Sequence, residues 1–231
     1  MLYRYLKKQP KIAWVKKQTK VWQILPFVCL TLGAFFLLSV FWPILNYEFK
    51  SHSFDNRQLI SPVEVLGDSN TIVDYSQPGT WFPTAPNLTP KTSKITHYSL
   101  SIPKLKIEKA TVHIDGQDLM DSLIQYPGTA LPGQYGNTII FGHSVLPQFF
   151  NPKNYKTIFS TLPTLKKGDE IFVDFDGMLY HYEVIGIEEV SPDNISVLEQ
   201  RYDSEYLTLI TCVPPGTYLK RLIITTKLIS F

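Results

Sequence analysis

Cysteine is scarce in this sequence: its 231 residues contain only Cys29 and Cys212. One lies inside a long apolar run and the other near the far end of the chain, so a fold stapled by disulfides is excluded. Acidic residues are missing from residues 1–20, which hold seven of the 22 basic side chains. Charge of either sign is absent from Val21 to Tyr47. Beyond the basic segment, 15 basic side chains face 20 acidic ones, a formal charge of −5. That balance argues against nucleic acid as a partner of the main domain. No internal repeat is evident. Acidic residues such as Glu188, Glu189 and Asp193 do not form the dense oxygen cluster that calcium prefers, so neither metal nor cofactor is expected.

What is present is the composition of a folded protein, 44% hydrophobic and 18% charged. The uncharged run has membrane-spanning length. At about 1.5 Å per helical residue, Trp22 and Trp42 fall roughly 30 Å apart, the thickness of a bilayer core, with both indoles in the aromatic belts. A cleaved signal peptide would be followed by small residues, but Phe41, Trp42, Ile44, Leu45 and Tyr47 are bulky. The basic flank should stay in the cytoplasm and place the rest outside, making a single-pass protein of the cell membrane. The expected organisation is therefore a basic cytoplasmic segment (1–20), a transmembrane anchor (21–45), a proline-rich extracytoplasmic linker (46–93) and an outer folded domain (94–231). Trp81 and Phe82 stand out in the linker, as local packing or as a cover for a groove.

From about Lys94 the pattern alternates as strands do: Thr96 to Ile102, Ile107 to Ile114, Asn137 to Phe141, Glu170 to Phe175, Met178 to Val190, Tyr206 to Thr211 and Arg221 to Leu228. Asp176-Gly177 marks a tight hairpin. Short helices are expected at Asp118 to Gln125 and Tyr155 to Ser160. Seven or eight strands with few helices imply a closed, mainly β barrel, with packed sheets as the alternative.

Cys212 ends a hydrophobic strand that Val213-Pro214-Pro215-Gly216 then stops, a position that holds a sulfur on rigid backbone at a barrel mouth. Arg221 opens the next strand. An antiparallel pairing would return its guanidinium to the same sheet end, where it favours a thiolate and steadies an oxyanion. His143 follows a third strand through Gly142 and is displayed at its end. Of the other histidines, His52 falls in the linker, and His97, His113 and His181 fall inside strands where no function is required. An unpaired thiol outside the cell, a displayed imidazole and a strand-opening arginine together point to thiol chemistry.

This order, Gly142-His143, then Leu209-Ile210-Thr211-Cys212, then Arg221, resembles the sortase family. Ile102-Pro103, Pro132 to Asn137 and Lys167-Gly168-Asp169-Glu170 add to the likeness, which covers about residues 94–231. The resemblance implies a closed eight-stranded β-barrel with short helices, preceded by the transmembrane helix. It also implies a cysteine transpeptidase that cuts a C-terminal sorting signal of Leu-Pro-x-Thr-Gly type in secreted proteins. Cys212 would attack the Thr carbonyl, His143 would serve the leaving and incoming amines, and Arg221 would hold substrate and oxyanion. The acceptor would be an amine of a cell-wall precursor or a Lys of another surface protein. The rival readings are an inactive membrane-tethered barrel that binds peptide, and another cell-wall thiol enzyme such as an L,D-transpeptidase. The linker carries no recognisable lid motif of the pilus-building members.

Overall fold

The computed structural model describes residues 20–51, 74–82 and 94–230. The basic segment as far as residue 19, and residues 52–73 and 83–93 of the expected linker, lie outside the described residues. The chain divides into two units after Phe41. The first is the greater part of helix α1 (Lys20–Ser51), which runs beyond the expected end at residue 45. Its stretch Ile24–Phe49, 26 residues within which an 18-residue window reaches a mean hydropathy of 2.4, is long and apolar enough to cross a membrane. Phe27, Leu30 and Phe35 are exposed. An apolar surface without a polar stripe suits hydrocarbon better than water.

The second unit holds the last turns of α1 and a closed barrel of eight strands. These are β1 (His97–Ile102), β2 (Ile107–Ile114), β3 (Leu123–Gln125), β4 (Gly136–Phe141), β5 (Glu170–Phe175), β6 (Met178–Val190), β7 (Glu205–Val213) and β8 (Lys220–Ser230). Around the barrel they run β1-β2-β3-β4-β7-β8-β6-β5, and β5 closes on β1. Two pairs, β2 with β3 and β4 with β7, are parallel. The hairpin between β5 and β6 turns at Asp176 (φ 53°) and Gly177 (φ 76°), the two left-handed residues that a type I′ turn demands.

Two local expectations are corrected. Asp118 to Gln125 is not a helix: Leu123–Gln125 pairs with both β2 and β4, so burial between two neighbours overrides its local preference. Tyr155 to Ser160 forms turns, and the short helices described in the domain are single 3-10 turns such as Leu162–Thr164 and Ile195–Leu198.

Period-two alternation divides the core. Leu100, Val112, Leu123, Ile140, Val173, Val184, Leu209 and Ile224, one from each strand, belong to the cluster that fills the barrel. The opposite faces of β4, β7 and β8 present Ile139, Phe141, Ile210 and Ile223 to a second cluster outside it. Every residue of β4 is buried as a result. Gly142 ends that strand in a tight place, because a Cβ there would lie 2.4 Å from Cδ2 of Phe159 and 2.6 Å from Cδ2 of Leu123. Gly142→Ala should therefore cost about 1–3 kcal/mol through overpacking, read as a lower midpoint in chemical denaturation of residues 94–231.

Candidate active site

Strand register assembles the site. In the parallel pair Phe141 stands opposite Ile210, and in the antiparallel pair Ile210 faces Ile223 while Cys212 faces Arg221. The line of β4 continues past its last strand residue. Gly142 N–H donates to Ile210 O (3.2 Å), Thr211 Oγ1 donates to Gly142 O (2.8 Å), and Ser144 Oγ donates to Cys212 O (2.6 Å). His143 thus follows Phe141 by two residues as Cys212 follows Ile210, and a spacing of two keeps side chains on one face. Imidazole, thiol and guanidinium form a row across three neighbouring chain segments. Its floor is the outer face of β4, β7 and β8, and Leu119 and Leu198 join the same cluster from loops beside it.

That row is covered. Residues 74–82, expected to belong to a linker, pack over it, so Trp81 is fully buried and Cys212 is 2% exposed. The Trp81 ring lies 5.9 Å from that of His143 and edge-on to Phe141 at 5.2 Å. Its carbonyl oxygen accepts from both Nε (3.2 Å) and Nη2 (2.9 Å) of Arg221, whose Nη1 donates to Tyr218 O (3.0 Å) and Lys220 O (3.2 Å). The guanidinium carbon also lies 5.5 Å from the indole centre. Tyr75 stacks on Tyr218 at 4.2 Å, the indole N–H donates to Tyr75 O (2.8 Å), and Leu119 N–H donates to Ser76 O (3.0 Å). The sulfur expected at an open mouth is instead closed in, because the aromatic pair Trp81-Phe82 finds its apolar environment on this face.

Cover and charge act oppositely on the titrating groups. Burial pushes the Cys212 thiol up to about 11, and the nearby Arg221 charge opposes the rise without cancelling it. Burial lowers the His143 pKa, against the attraction of the Asp118 and Asp74 carboxylates. Nε2 of His143 is buried and meets no hydrogen-bond partner among the described residues. Both groups are therefore neutral at pH 7 in this state. Among the described residues no group of three or more His, Cys, Asp or Glu side chains is placed to hold a metal ion.

All three residues singled out in the sequence meet here. Of the two roles that the sequence left open for Trp81 and Phe82, local packing or a cover for a groove, the structure shows the cover, whereas Tyr75, Tyr218 and Asp118 were not assigned to the site from sequence. Comparison with known proteins agrees with the geometry. Residues 100–229 match the family described as Sortase domain. Over 95 residues the chain is 35% identical to Sortase A of Bacillus anthracis, a stretch covering 41% of either protein, so the match spans less than half of that relative. A structure of a Clostridium perfringens Sortase D5 transpeptidase is similar with a TM-score of 0.50 at 28% identity, over 58% of this chain and 79% of that one. Sortase C-1 of Actinomyces oris shares the fold, with a TM-score of 0.53 at 22% identity over 83% of this chain and 98% of that one. The matched domain takes in more than half of the sequence and contains His143, Cys212 and Arg221, and the chain belongs to the sortase family.

Proposed function

We propose that this protein is a membrane-anchored cysteine transpeptidase, acting outside the cytoplasm on a C-terminal sorting signal of Leu-Pro-x-Thr-Gly type. The observation that supports it most is the single row of His143, Cys212 and Arg221 fixed by the register of three segments. Helix α1 serves as the anchor, with the basic segment on the cytoplasmic side.

The chemistry follows from the row. Once residues 74–82 give way to substrate, the Cys212 sulfur attacks the Thr carbonyl while its proton passes to His143. The Arg221 donors that now bind Trp81 O are freed to bind the oxyanion of the tetrahedral intermediate. The imidazolium returns its proton to the departing Gly amine, leaving a thioester on the sulfur. An incoming amine, from a cell-wall precursor or a Lys of another surface protein, loses its proton to His143 and attacks that thioester. A new amide forms and the thiol is restored. The acyl-enzyme retains the energy of the cleaved bond, so no nucleotide is consumed.

Cys212→Ala should abolish both cleavage of a sorting-signal peptide and transfer to an added amine, measured by mass spectrometry. Turnover by that variant would favour a barrel that binds peptide and a different catalyst. Arg221→Lys should lose roughly 100-fold or more in kcat, since a compact ammonium cannot supply the planar fork of donors. Retained activity would make the arginine structural.

The raised thiol pKa gives a signed pH dependence. With a value of about 11, the thiolate is about one part in 3,000 at pH 7.5, and alkylation by iodoacetamide should quicken roughly tenfold per pH unit between 7 and 9. Trp81→Ala removes much of the burial while Arg221 stays, which lowers the thiol pKa. Alkylation at pH 7.5 should then rise about tenfold or more. An unchanged rate in Trp81→Ala would mean that residues 74–82 do not control access to the sulfur.

A further inference from the structure

We infer that a pocket between the outer end of α1 and the loops leaving β4 and β7 binds one hydrocarbon chain of a membrane lipid, an inference that rests on the anchor reading above. The pocket has a volume of about 390 Å³, within the usual range for small-ligand sites. One wall is Trp42, Pro43 and Tyr47 on α1, and the other includes Pro147, Pro163 and Pro215. Four prolines contribute no backbone N–H, so these walls offer a guest few donors. Two of the lining hydroxyls are already turned to backbone, since Ser160 Oγ accepts from Val145 N–H (2.9 Å) and Thr164 Oγ1 donates to Thr161 O (2.7 Å).

Height along the helix selects the guest. A bilayer core takes about 20 helical residues, so a span that enters at Ile24 leaves the hydrocarbon near Pro43. The pocket wall, Trp42 to Tyr47, stands at that boundary, where aromatic residues favour the interface. The wall is also fixed in place. Tyr47 is buried, and its hydroxyl donates to Glu189 Oε1, while Oε2 of the same carboxylate accepts from Lys220 Nζ (3.2 Å). The helix end is thereby tied to β6 and β8, and the cavity is preformed. For an extended peptide the lining holds, besides four prolines, only the amides of Asn46 and Gln148 and the hydroxyls of Tyr47, Ser160, Thr161 and Thr164, and an amine would find no carboxylate in it. A lipid tail needs neither. Pro215 lies three residues beyond Cys212 and Pro147 four beyond His143, so the bound chain touches both loops that leave the row.

The full chain in vesicles of phosphatidylcholine carrying a photoreactive diazirine on one acyl chain tests this directly. After irradiation, digestion and mass spectrometry, label is expected on peptides holding Pro147 and Pro163 as well as on residues 24–41. Thr161→Phe, which fills the pocket, should remove the label from the loop peptides and leave that on α1. Pro163→Glu, which places a charge at the rim, should do the same if the larger side chain disturbs folding. Loop peptides labelled no more than peptides of β2, with α1 labelled, would reject the pocket while keeping the anchor. Label missing from α1 as well would overturn both readings. Displacement of the loop label by a soluble sorting-signal peptide would assign the cavity to peptide and end the lipid proposal.

Discussion

One carbonyl oxygen governs the resting site. Arg221 is 1% exposed and has no carboxylate partner among the described residues, where its charge is met by the oxygens of Trp81, Tyr218 and Lys220 and by aromatic faces. A buried cation that loses a partner costs several kcal/mol, and Trp81 O alone answers two of its donors. Residues 74–82 thus supply acceptors that solvent would have to replace if they lifted away, and on the function proposed above a substrate carbonyl would take the same hydrogen bonds. The Trp81 indole, beside His143, belongs to the cluster that also holds Cys212.

Much of this was legible in the sequence, for identifiable reasons. Strands β2, β5 and β6 fall where alternation places them, because long runs with one face in a barrel carry their period openly. That His143, Cys212 and Arg221 would fall at neighbouring strand ends was legible because Gly142 and Pro214 mark two of those ends and a short connection returns the chain to the third. Leu123–Gln125 was not legible: three residues are too few to show a period, and its state is decided by β2 and β4 on either side. The docking of Trp81 was hidden for a related reason. Nothing local tells whether an aromatic residue in a proline-rich stretch packs on its neighbours or on a distant face. That outcome depends on Phe141 and Arg221, 60 and 140 residues away.

The end of α1 is packed with the barrel. The helix does not stop where charge reappears; it continues to Ser51, and Tyr47 enters the same apolar cluster as the barrel strands. A hydroxyl-to-carboxylate link joins it to Glu189, whose neighbour Val190 is paired with Arg221. The end of the helix, from Trp42 onward, belongs in packing terms to the same unit as the barrel.

The parallel pairing of β4 with β7 also sets when the row can be assembled during folding. Residues 69 apart in sequence, Gly142 and Thr211, must be brought together before histidine and cysteine become neighbours. Contacts of that separation form only after a long loop has closed, and they belong to the slow part of folding. Until those contacts form, His143 and Cys212 are not neighbours, so the row comes together late, with the completion of the barrel itself.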